Sequence, residues 1–201
     1  MLPKFLFRGD RDEKKSRRLK ETINSGILLT NLCNGGNGKE IFTNTLVELI
    51  NRHINIGWDK THFLSFSTDE QVAFSYASHG EQYEELFDYQ EDWLFAVLTF
   101  DTTLITPDSL QEISTGIYSA YFTPICYEFL PKYKIILIDV ISHLQNISNN
   151  KNDDLSTTIK KAERDKEWLI LPANPFGNNG EYTAKFDSYC ISSKRIFRTF
   201  Q

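Results

Sequence analysis

Apolar residues fall along this chain in two rhythms. Short runs rich in β-branched and aromatic side chains predict strands at Phe5 to Phe7, Phe63 to Ser67, Trp93 to Phe100, Lys134 to Ile141 and Glu167 to Leu171. The runs at Trp93 and Lys134 are nearly continuous, the pattern of strands buried on both faces. The first strand is expected to end in a turn at Gly9-Asp10. A helical rhythm joins Ile41, Phe42, Thr45, Leu46, Leu49, Ile50, His53 and Ile54 into one amphipathic helix. A second helix is expected from about Thr68 to Ala77, burying Val72, Ala73, Tyr76 and Ala77.

The remaining segments read mainly from their polar residues. A charged helix is expected from about Asp12 to Leu32, then a loop at Asn34 to Gly38. Glu81 to Asp92 is acidic and reads as a solvated loop or weak helix. Residues 101 to 133 are mixed, and three prolines there break any long helix. Ser148 to Asp154 is polar and Asn-rich, the pattern of a loop, and a short charged helix or turn from Ser156 to Lys166 leads into Glu167. Phe186 to Ile191 and Ile196 to Phe200 close the chain. Short helices come first and most strands later, which favours α+β over a βαβ parallel sheet.

Composition narrows the class. With 201 residues and 40% apolar content, residues 1–201 read as a single domain with room for a real core. A net charge of -5 and a pI near 5.4 argue against broad attraction to nucleic acid or anionic membrane, while leaving room for a local basic groove. Cys33, Cys126 and Cys190 cannot all pair and lack metal-ligand spacing, so a reducing compartment is the simpler expectation. No signal-peptide pattern follows Met1, and the longest apolar run, Ile135 to Ile138, is too short to span a bilayer. The expectation is a cytoplasmic protein without a membrane partner. His53, His62, His79 and His143 show no metal-ligand pairing, so no metal site is expected.

Four positions could carry chemistry. Arg8, beside Gly9 at a strand end, could hold a phosphate or ribose by paired hydrogen bonds, or be an exposed turn arginine. Ser65 and Ser67 alternate on one strand, so their hydroxyls face the same side. Ser67-Thr68-Asp69-Glu70 also fits a capping box, which would make Ser67 a helix cap. Glu167 opens an apolar strand. Facing solvent it would be unremarkable; facing a cleft it could bind a sugar hydroxyl and stabilise an oxocarbenium-like transition state.

The order of these segments resembles the arginine–serine–glutamate class of ADP-ribosyltransferases, in small bacterial or phage toxin-like form. The resemblance rests on Phe7-Arg8-Gly9, on Phe63-Leu64-Ser65-Phe66-Ser67 with Val72 to Ala77 behind it, and on Glu167-Trp168-Leu169-Ile170-Leu171-Pro172. A final phenylalanine-bearing strand would be Phe186 to Ile191. The resemblance implies a split, mostly antiparallel β-sandwich with N-terminal and peripheral helices around an NAD cleft, using NAD as substrate and no metal.

In that likeness Arg8 anchors the NAD phosphate and ribose side, and Gly9, Ser65, Ser67 and Glu167 line the same site. Ser65 orients the ribose and the glutamate, and Glu167 holds the ribose 2'-hydroxyl as nicotinamide departs. Phe66 stands where threonine is usual, its side chain on the opposite strand face. Asp165 occupies the acceptor-handling position, where Glu or Gln is usual. It would act as general base toward a nitrogen acceptor. Ser148 to Arg164 would recognise the acceptor, with Lys160, Lys161 and Arg164 leaving room for RNA or DNA. The implied activity is transfer of ADP-ribose to a protein side chain or a nucleic-acid base, as an intracellular toxin or antiviral effector held by a neutralising antitoxin or inhibitor. The alternatives are an NAD glycohydrolase on the same fold and a non-catalytic binding module. Phe74, Tyr76, Tyr83 and Phe87 are the candidates to stack on nicotinamide.

Overall fold

A computed structural model describes residues 1–12, 19, 45–56, 63–79, 94–105, 107–122, 133–151, 154–172 and 191–195. Within them the chain is α+β. Eight strands form one sheet: β1 (Phe5–Asp12), β2 (Leu64–Ser67), β3 (Leu94–Asp101), β4 (Gln111–Ser114), β5 (Ile117–Phe122), β6 (Tyr133–Asp139), β7 (Glu167–Pro172) and β8 (Ile191–Arg195). Their order is β4-β5-β6-β7-β2-β1-β3-β8, and every pairing is antiparallel. Four α-helices accompany it: α1 (Leu46–Asn55), α2 (Glu70–His79), α3 (Val140–Lys151) and α4 (Ser156–Asp165). None of the described helices is long and apolar enough to cross a membrane.

Strand alternation sorts the sheet into two faces. Leu6, Leu64, Phe66, Leu98, Phe100, Leu137, Trp168 and Ile170 build one core on the first face, joined by Leu19. The second face packs Leu169 and Ile138 against Ile50 of α1, Val140 and Leu144 of α3, and Ala162 of α4. β7 is therefore apolar on both sides, which explains its unbroken run from Trp168 to Ile170. Fully burying a side chain of this size contributes about 1.5–3 kcal/mol, so β7 is fixed firmly. Glu167 begins that strand two residues before Leu169 and shares its face.

Several expectations shift. β1 runs straight through Gly9-Asp10 to Asp12, with Gly9 paired to Val97 and Asp10 to Ala96, so the expected turn is absent. Its glycine serves another end. A Cβ on Gly9 would lie 1.8 Å from the backbone oxygen of Ala73, so α2 rests directly on the bare β1 backbone. The amphipathic helix starts at Leu46, because Thr45 is an extended N-cap. Thr45 and Glu48 form a reciprocal capping box there. Ser67 does not cap α2. Asp69 does, accepting from Gln71 N through Oδ1 at 2.9 Å while Ala73 N bonds its carbonyl. Ser67 Oγ instead accepts from Asp69 N at 3.0 Å.

The expected loop at Ser148 is the end of α3, which begins where β6 stops at Asp139. Val140, Leu144 and Ile147 give this helix its apolar stripe. The closing strand is Ile191–Arg195, starting where the expected one ends. Leu19 is the described residue of the expected helix from Asp12 to Leu32; it is helical and buried, while Asp12 belongs to β1. The expectations on Asn34 to Gly38, Glu81 to Asp92, Phe186 to Cys190 and Ile196 to Phe200, with Tyr83 and Phe87, lie outside the described residues.

Candidate functional site

Three neighbouring strands, β7, β2 and β1, bring the sequence candidates together. β2 and β7 pair along their length, with Ser67 opposite Glu167 and Ser65 opposite Leu169. Cross-strand partners share a face, so Ser65, Ser67 and Glu167 all lie on the helix-covered side. β1 and β2 are registered only at Phe7 and Ser67. Continued, that register would set Gly9 beside Ser65. Instead the Arg8 guanidinium takes the Ser65 carbonyl, Nη1 donating at 3.1 Å, in the gap where the two strands part.

The Arg8 side chain is 16% exposed, and its Nε lies 3.5 Å from Asp10 Oδ2. Buried Arg8 Nε makes no hydrogen bond, so this contact is a loose ion pair. The arginine thus carries a donor beyond the one that Ser65 accepts. Such a guanidinium suits a bidentate anionic ligand.

Glu167 is 8% exposed. Burial raises its carboxyl to about 7; the Asp165 carboxylate adds to the rise, while a Ser65 hydrogen bond and Arg164 oppose it. On its other side, Ser65 Oγ lies 2.6 Å from His53 Nε2. His53 is 4% exposed and packs edge-on against Phe63, ring centroids 5.6 Å apart. Burial, helped by the Arg8 charge, lowers its imidazole to about 3. A neutral His53 makes its 4.0 Å approach to Glu167 Oε1 a contact between a ring and a carboxyl, not an ion pair.

Asp165 is the last residue of α4 and only 9% exposed. Both of its oxygens are engaged: Arg164 Nε donates to Oδ1 at 2.7 Å and Nη2 to Oδ2 at 2.6 Å. Tyr76 of α2 also donates to Oδ2, at 2.8 Å. The pairing raises Arg164 well above the usual guanidinium range. Between the two acids, Lys166 adopts φ 47°, ψ 50°, a left-handed C-cap that ends α4 and turns the chain into β7. Lys166 Nζ then meets Asp69 Oδ2 at 2.8 Å, tying this turn to the start of α2.

The structure thus gathers Arg8, Ser65, Glu167 and Asp165. Ser67 stands beside Glu167, but its hydroxyl serves the β2–α2 turn. Gly9 has a structural reason, the close approach of α2. Tyr76, a candidate for stacking on nicotinamide, has its hydroxyl bound to Asp165. His53, assigned no chemistry from the sequence, adjoins both Ser65 and Glu167. Its one legible signal is its place among Leu49, Ile50 and Ile54, a polar side chain on an apolar stripe. Among the described residues no group of three His, Cys, Asp or Glu could hold a metal ion. Comparisons of the chain with protein-family models, curated proteins and solved structures gave no match.

Proposed function

We propose that this chain is an NAD-consuming mono-ADP-ribosyltransferase of the arginine–serine–glutamate class, transferring ADP-ribose to a macromolecular acceptor. The observation that carries the reading is the convergence of Arg8, Ser65 and Glu167 at the parting of β1 and β2. Arg8 Nη1 sits 3.1 Å from the Ser65 carbonyl, and Ser65 and Glu167 lie on one face of the paired strands β2 and β7. In this reading the parting of β1 and β2 corresponds to the split of the sandwich, and the NAD cleft lies along it.

In this mechanism Arg8 grips the NAD phosphates through its guanidinium, the loose pair with Asp10 giving way. Glu167, charged and shielded from water, accepts the ribose 2'-hydroxyl. As the bond to nicotinamide breaks, positive charge grows on the ribose and the fixed carboxylate stabilises it. Ser65 holds the carboxylate in that orientation. Asp165 takes the acceptor's proton once its clamp with Arg164 and Tyr76 opens. The same clamp favours one second reading, an NAD glycohydrolase, because water needs no help from an occupied Asp165.

Incubation with adenylate-labelled NAD and cell lysate tests the transfer step. Label that persists through nuclease and is lost with protease, or the reverse, names the acceptor. Nicotinamide release with no macromolecular label selects the glycohydrolase. Growth arrest on expression, relieved by Glu167→Ala, supports a toxin or antiviral role held by a neutralising partner; harmless wild-type expression contradicts it.

A further inference from the structure

We propose that His53 is a positioning residue: its Nε2–H donates to Ser65 Oγ, which aims the Ser65 proton at the Glu167 carboxyl. The role of the Glu167 charge rests on the transferase reading; the hydrogen-bond chain stands without it.

The arrangement turns on one proton. Ser65 has one hydroxyl proton and two neighbours, His53 Nε2 at 2.6 Å and the Glu167 carboxyl. If the serine proton points to His53, the carboxylate loses its donor. If His53 donates, the serine proton is free for Glu167, and each bond in the chain polarises the next. At 4.0 Å His53 is too far from Glu167 Oε1 to donate directly, so the serine must mediate.

The charged groups around Glu167 come from three elements. Asp165 and Arg164 lie at the end of α4 and are paired to each other, so their fields on Glu167 oppose. Arg8 of β1 stands beyond Ser65, itself beside Asp10. His53 of α1 is uncharged near neutrality, which leaves the hydrogen bond as its means of action. Its ring is braced by Phe63, and α1 is braced by α4: Asn55 Nδ2 donates to Thr158 Oγ1 at 2.8 Å, and Thr158 Oγ1 donates to Asn51 Oδ1. The helix that supplies His53 is thus tied to the helix that delivers Glu167.

The test reads the carboxyl directly. Protein carrying glutamate labelled with ¹³C at the side-chain carboxyl is titrated by NMR, the Glu167 signal being assigned by its loss in Glu167→Gln. In His53→Leu the Glu167 midpoint should rise by about one pH unit, the weight of one hydrogen bond. His53→Gln keeps a donor at the Nε2 position and should hold the midpoint within a few tenths of a unit. In a Ser65→Ala background, His53→Leu should produce no further rise. An unmoved midpoint in His53→Leu overturns the proposal. So does a rise of the same size without Ser65, since His53 would then act directly. Should His53→Leu not fold, His53→Asn supplies the comparison, because its shorter amide falls short of Ser65. The titration needs no NAD. A wild type that releases no nicotinamide therefore sinks the transferase reading, whereas an unmoved midpoint sinks the role of His53.

Discussion

Glu167 is a carboxyl group in surroundings that favour its neutral form. Its folded value of about 7 lies above the ordinary 4.5, so between those values the folded chain holds more protons than the unfolded one. Stability from this group therefore falls as pH rises through that window. His53 runs the other way: lowered from 6.5 to about 3, it makes stability fall as pH drops from 6.5 toward 3. Replacing Glu167 by glutamine removes the first effect alone. At pH 8 Glu167→Gln should be more stable by roughly 3 kcal/mol, and below pH 4.5 nearly equal to wild type. Urea unfolding at both pH values checks this, and a variant less stable at pH 8 contradicts it. Nicotinamide release should rise through a midpoint near pH 7, where Glu167 becomes charged. An acid limb near the ordinary carboxylate value would mean that another group governs the rate. Arg8, Ser65 and Glu167 could be singled out in the sequence from their strand positions, whereas Asp165, at the end of α4, was named only through the family resemblance. His53 was not, since its serine partner lies 12 residues away across the fold. The Tyr76–Asp165 bond spans 89 residues, beyond what local pattern encodes.

Among the elements, most strands were legible, because alternation and buried apolar runs are local signals. Helix α3 was not. Its last turn, Ser148 to Lys151, falls in the polar, Asn-rich stretch Ser148 to Asp154 that reads as loop, while Leu144 and Ile147 hold the turns before it against the second core. The β4–β5 hairpin was also missed. Its signal is brief, Thr115-Gly116, with Gly116 at φ +73° where a left-handed residue is needed. Gly9 and α2 give the sharpest test at this scale. Gly9→Ala sets a methyl against the Ala73 backbone oxygen, which cannot move as a side chain can. The variant should lose about 3 kcal/mol or more in urea unfolding, and a loss below about 1 kcal/mol would mean that α2 shifts easily. Thr158→Val cuts the bonds to Asn51 and Asn55 that tie α1 to α4. It should cost about 0.5–1.5 kcal/mol, the net worth of an ordinary hydrogen bond, since Asn51 is half-buried and Asn55 exposed. Unchanged stability would show that apolar packing alone sets the angle between these helices.

At the scale of the molecule, the sheet order brings the chemistry together. β7, β2 and β1 are consecutive in the ladder though they come from both ends of the described chain, so Arg8 and Glu167, far apart in sequence, come to flank β2 on either side. The helices then wall the site on one face, α1 and α4 on one side and α2 on the other. The α+β class was legible because segment order is a property of sequence. The strand order was not, since it depends on which apolar edges meet. The central claim is that this arrangement cleaves NAD at the ribose, and the most direct measurement is release of nicotinamide by the purified chain. Wild type and Glu167→Gln are compared at pH 8, with unfolding confirming that both are folded. The account predicts release by wild type and a fall of about 10²–10³ in Glu167→Gln. Release unaffected by Glu167→Gln, or none from folded wild type freed of any inhibitor, would contradict it.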